Sequence, residues 1–110
     1  MDTIRLTIPP NNIYLKSMRL LAASLASDVG FDIEEVEDIR VVVSEAINYK
    51  MSDSEIKVNF YIKENLMKVE VIGKDRKIEE ENLKIKKIIL EQLADKVEVV
   101  EDKIILIKEK

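Results

Sequence analysis

Asp38-Ile-Arg-Val-Val-Val-Ser-Glu-Ala-Ile-Asn-Tyr-Lys50 is the stretch that decides how this chain folds. Together with Val36 just upstream, Ile39, Val43 and Ile47 recur at three- and four-residue steps, the spacing of one helix face. The spacing predicts a helix from about residue 33 to 51. At about 100° per residue, Val42, Glu45 and Tyr49 fall on roughly the opposite side, with Val41 nearby. Such a helix has two apolar faces. One should pack on a sheet. The other carries Glu45 and Tyr49 and needs a pocket, a neighbouring helix or a partner.

Upstream, Asp32 followed by Glu35 makes a capping-box start for this helix, with Asp in place of Ser or Thr. Gly30 fits the position just past the end of a preceding helix, where positive φ is usual. That helix is predicted over about 12–29 from Tyr14, Met18, Leu21, Leu25 and Val29, with Asn11 or Asn12 as its cap. Before it, Thr3 to Ile8 alternates, placing Ile4, Leu6 and Ile8 on one face of a strand that Pro9-Pro10 stops.

Downstream, Ile56, Val58, Phe60 and Ile62 alternate with polar residues and mark a strand. Glu64-Asn65 turns the chain into the returning strand Leu66 to Ile72. Residues 79–94 read as a third helix, with Ile85, Ile89 and Leu93 inward. Val97 to Val100 and Ile104 to Ile107 form a last hairpin, whose second strand is apolar enough to sit inside the sheet. The order is β-α-α-β-β-α-β-β. It predicts an α+β, two-layer sandwich: a mostly antiparallel sheet with three helices on one face.

The 110 residues suit one compact domain spanning the chain, 1–110. Hydrophobic residues make up 46% and charged residues 36%, a balance that folds. With no Cys and no His, disulfides, thiolate chemistry and Cys/His zinc sites are excluded, leaving acid-base work to Asp, Glu, Lys or Tyr. A net charge of −4, with the signs mixed along the chain, argues against a general nucleic-acid or anionic-membrane binder. The start of the chain lacks the pattern of a secretory signal, and no apolar run is long enough to span a bilayer. The expected location is cytoplasmic.

Asp38-Ile-x-x-x-Val-Ser-Glu-Ala46 resembles the anti-sigma-factor serine kinases, a branch of the GHKL, or histidine kinase-like, ATPase superfamily. The resemblance covers nearly the whole chain. Ile8-Pro9 followed by Tyr14, and then Arg19, are similar to the family's opening. Ala26 to Gly30-Phe31 is similar to its A-x-x-x-G-F junction, and Glu91 to Val100 to its closing segment. The resemblance implies the histidine kinase-like ATPase fold. It makes Glu45 the residue that activates the attacking hydroxyl or water; with the magnesium Asn missing, the simpler reading of Glu45 as a solvated helix carboxylate is the favoured one. It also implies binding of sigma factors and of STAS-domain antagonists, and homodimers formed through the sheet and the N-terminal region. The partner-binding candidates are Lys16 and Arg19 of the first helix, suited to an acidic partner.

The chain departs from the family's pattern at the nucleotide site. The Asn that holds magnesium in the family maps onto Tyr49, and a phenol is no substitute for a carboxamide oxygen on a hard cation. Asn48 sits about 100° around the helix from that position. In the adenine-reading box Asp75 matches the family's Asp, but Lys77 and Glu79 stand at its two glycines, where side chains crowd the nucleotide. Between Gly73 and the C-terminus there is no glycine for a phosphate-covering lid. The vestigial nucleotide pocket would thus comprise Glu45, Tyr49 and Asp75, with no metal site, no cofactor expected and kinase activity lost. ATP with magnesium would bind only if the site were divergent rather than dead. The expected function is that of a regulator acting through protein binding. The alternatives are an ATP-dependent serine kinase with a divergent site and a domain serving only dimerisation or assembly.

Overall fold

The computed structural model describes residues 2–74, 80–100 and 102–110. Its elements are β1 (Asp2–Ile8), a 3-10 turn (Asn12–Tyr14), α1 (Leu15–Val29), α2 (Ile33–Tyr49), β2 (Ile56–Lys63), β3 (Leu66–Ile72), α3 (Glu80–Leu93), β4 (Lys96–Val100) and β5 (Lys103–Glu109). The strands form one sheet in the order β1-β2-β3-β5-β4, and every neighbouring pair is antiparallel. β5, with its apolar run Ile104 to Ile107, lies inside the sheet, as that run predicts.

One face of the sheet is apolar. Leu6 of β1 pairs with Val58 of β2, Val58 with Val71 of β3, and Val71 with Ile104 of β5. Val58, Phe60, Val69, Val71, Ile104 and Leu106 are all buried there. The helices cover this face, α1 and α2 against β3, with α2 also touching β5 and α3. Burying these side chains is the main favourable term of the fold.

Local chemistry sets the helix ends. Asn11 accepts a hydrogen bond from Ile13 N at 3.1 Å, so the first helix opens as a 3-10 turn before α1 proper. At its other end Gly30 has φ 99°. Phe31 N donates to Ala26 O and Gly30 N to Ser27 O, the paired bonds of a Schellman ending. Asp32 then accepts from Glu35 N at 2.8 Å while Glu35 Oε1 accepts from Asp32 N at 3.1 Å, closing the capping box. Asn65 supplies the positive φ of 63° in the two-residue β2–β3 turn.

Two details differ from the periodicity. Val42, assigned by spacing to the second face of α2, is buried in the core beside Val43. Because α2 meets the sheet and two helices, its buried arc extends from Val42 to Ser44, about 200°. In α3 the deepest described side chain is Leu90, with Ala94 buried just beyond the helix, whereas Ile89 and Leu93 are half-buried. Ile85 lies outside the described side chains. Among the described residues no helix is long and apolar enough to cross a membrane.

Candidate functional site

The outward side of α2 meets α1 in a cleft of roughly 200 Å³ lined by Arg19, Arg40, Val41, Ser44 and Glu45. Ser44 sits at the edge of the buried arc and is 2% exposed. Arg19 reaches across from α1 and its Nε donates to Ser44 Oγ at 2.6 Å. On the far wall Arg40 Nη2 donates to Glu37 Oε2 at 2.6 Å, one turn back along α2. The cleft therefore combines two guanidinium groups, one carboxylate, a hydroxyl and an apolar patch at Val41. It is suited to a polar side chain of a partner presented with some apolar surface. Close by on α1, Leu20 is 59% exposed beside Lys16 and Arg19.

The structure brings Glu45 and Arg19 into this one cleft, although sequence reading gave them separate roles. Lys16 is exposed one turn before Arg19 and does not line the cleft. Tyr49 lies one turn beyond Glu45 and is half-buried against the core, with Lys50 Nζ 5.7 Å from its ring centroid. Asn48 is half-buried. Asp75, Lys77 and Glu79 lie outside the described residues.

Three residues at or near the site escaped the sequence reading. Ser44 and Arg40 were visible only as members of the Asp38–Lys50 stretch. Lys50 is fully buried, at 0% exposure. A signal for Lys50 existed, because the stripe Val36, Ile39, Val43, Ile47 continues to it by a further three-residue step.

The opposite face of the sheet holds a second polar cluster. Tyr61 of β2 donates to Glu70 Oε1 of β3, and Lys103 Nζ lies 3.5 Å from Glu70 Oε2. The Tyr61 hydroxyl, more than the nearby Lys103 and Lys68, holds the Glu70 carboxyl below its ordinary value, against the opposing effect of burial. The same hydrogen bond, with burial, raises the Tyr61 phenol. Glu70 is only 8% exposed, unusual for a carboxylate on a sheet face that no helix covers.

No protein-family profile matches the chain. The chain is 35% identical to the serine-protein kinase RsbW of Listeria innocua serovar 6a, over 64% of this chain and 49% of that protein. It is 30% identical to the serine-protein kinase RsbW of Oceanobacillus iheyensis, over 76% of this chain and 57% of that protein. The chain thus spans about half the length of the curated relatives it matches. Among solved structures it superposes on part of a crystal structure of the RsbU and RsbW domains of Rv1364c from Mycobacterium tuberculosis, with a TM-score of 0.74 and 16% identity. That match covers 99% of this chain and 32% of the other, and at this identity it speaks for the fold.

Proposed function

We propose, from the 30–35% identity to serine-protein kinases RsbW, that this chain is a regulator of the anti-sigma-factor type that acts by binding a protein partner through α1 and the α1–α2 cleft. The partner would be a sigma factor or a STAS-domain anti-anti-sigma factor. The observation that carries this reading is Arg19. Its guanidinium lines the cleft and is held there by Ser44, with exposed Leu20 and Lys16 on the same helix. A positioned arginine beside exposed apolar surface is the composition of an interaction site.

We place catalysis outside this function. Where the family's magnesium ligand belongs, Tyr49 presents a phenol packed against the core, beside the buried Lys50. A phenol is a poor ligand for a hard divalent ion. These residues do not fit magnesium with ATP, so we assign no phosphoryl-transfer step to the chain. Glu45 then serves the cleft as a charged wall rather than as a base.

The test is calorimetric titration of the protein with the sigma factor and the STAS-domain protein encoded in the same genome, each with and without MgATP. We expect saturable binding of one of them, unchanged by MgATP and weakened by Arg19→Ala. Absence of binding to both would overturn the reading. Binding that requires MgATP would instead establish a nucleotide-dependent regulator.

A further inference from the structure

We infer that Ser44 is a positioning residue for partner recognition: it holds the Arg19 guanidinium so that its Nη1/Nη2 edge faces out of the cleft as a fork for a carboxylate of the partner. The inference rests on the reading above that Arg19 contacts the partner.

The geometry restricts what Arg19 can do. A guanidinium grips a carboxylate with two parallel hydrogen bonds, using either the Nε/Nη side or the Nη1/Nη2 end. Here Nε is committed to Ser44 Oγ at 2.6 Å. The side-on grip is therefore blocked and the end-on grip remains. Among the described contacts, that to Ser44 is the hydrogen bond the Arg19 side chain makes, so its Nη groups remain available.

Ser44 is itself immobile. It is 2% exposed, on a helix flanked by the buried Val43 and Ala46. A hydroxyl anchored in the core thus fixes an otherwise flexible side chain whose backbone is on the surface, 25 residues away in sequence. Fixing the guanidinium before encounter lowers the entropy lost on binding. The ligand class follows from the fork: a planar acidic side chain, aspartate or glutamate, on a protein segment. Lys16, exposed one turn before Arg19, puts a second basic residue on the same helix. Lysine at position 19 would lack the planar fork, so Arg19→Lys should behave like a loss rather than a conservative change.

The experiment is a double-mutant cycle of Arg19→Ala and Ser44→Ala, measured as affinity for whichever of the sigma factor and the STAS-domain protein binds. The Arg19 Nε–Hε resonance is followed by NMR in the free protein. Ser44→Ala should weaken binding roughly three- to tenfold, the effect of freeing one side chain. It should have no further effect once Arg19 is alanine, because Ser44 acts through Arg19. In the free protein the Arg19 Hε should be protected from exchange with solvent, and Ser44→Ala should abolish that protection. If Arg19→Ala weakens binding but Ser44→Ala does not, or if the two losses simply add, the positioning role is overturned and the partner reading survives. If Arg19→Ala has no effect, the partner reading itself fails and takes this inference with it.

Discussion

Tyr61 donates its hydroxyl hydrogen to the Glu70 carboxylate, diagonally across the β2–β3 pair and on the sheet face turned away from the helices. The bond couples stability to pH in two opposite senses. Glu70 has a folded value lowered from 4.5, so its contribution is present above that ordinary value and is lost as pH falls through the lowered one. Tyr61 has a folded value raised from 10.0, so its contribution is complete below that ordinary value and is lost as pH rises through the raised one. Tyr61→Phe keeps the ring, which lies 5.2 Å from Lys68 Nζ, and removes only the hydroxyl. We predict a loss of about 1.5 kcal/mol at neutral pH, the worth of a hydrogen bond to a charged group. In urea unfolding across acid, neutral and alkaline pH, the difference from the unsubstituted protein should shrink at both extremes. A difference that stays constant with pH would assign the effect to packing.

Gly30 is held at φ 99° by the two hydrogen bonds that end α1. A Cβ there would meet Lys110 Nζ at 3.1 Å, the movable end of a long side chain, so the steric neighbour can give way. The backbone cannot. Gly30→Ala should therefore cost about 1 kcal/mol, and Gly30→Asn less. Adding Lys110→Ala should not recover the loss in thermal or urea unfolding. Recovery would mean that crowding, not backbone strain, is the cost.

Asp32 caps α2 through Glu35 N, and Glu35 answers through Asp32 N. Asp32→Ala removes the acceptor for one orphan amide and one charge favourable to the helix dipole. It should lower unfolding free energy by about 1 kcal/mol, whereas Asp32→Ser should cost little. Equal losses from the two variants would show that the charge rather than the cap is what matters.

These caps were legible in the sequence because their chemistry is local: Gly30, Asp32 and Glu35 lie within six residues. The α2 stripe and the strand alternation were legible because period reports on one buried face. What was hidden depends on how many neighbours an element acquires. Val42 is core because α2 is enclosed by helices as well as by the sheet. The Arg19–Ser44 bond joins residues 25 apart, and no periodicity encodes such a contact. Lys50 was overlooked because a lysine is expected on the surface, although its position continues the core stripe. The candidate site was thus half legible. Glu45 came from the motif and Arg19 from the resemblance of the first helix to the family's opening, and their convergence on one cleft came from the packing of α1 on α2.

The remaining prediction concerns nucleotide. Calorimetric titration with ATP and ADP, with and without Mg²⁺, should give no saturable binding up to about millimolar ligand, since Tyr49 offers no carboxamide for the ion. Tyr49→Asn restores that ligand type alone. Lys77 and Glu79 still stand where the family's glycines allow close backbone approach, so the variant should also fail to bind. It should lose about 2 kcal/mol of stability, because the half-buried ring packs on the core. Gain of Mg²⁺-dependent binding in Tyr49→Asn would show that this one side chain closed the site and that Lys77 and Glu79 are tolerated. Mg²⁺-dependent binding by the unsubstituted protein would overturn the assignment of Tyr49 altogether. Glu45→Ala in a phosphoryl-transfer assay against a STAS-domain substrate would then decide whether Glu45 is a base or, as the cleft suggests, a recognition carboxylate.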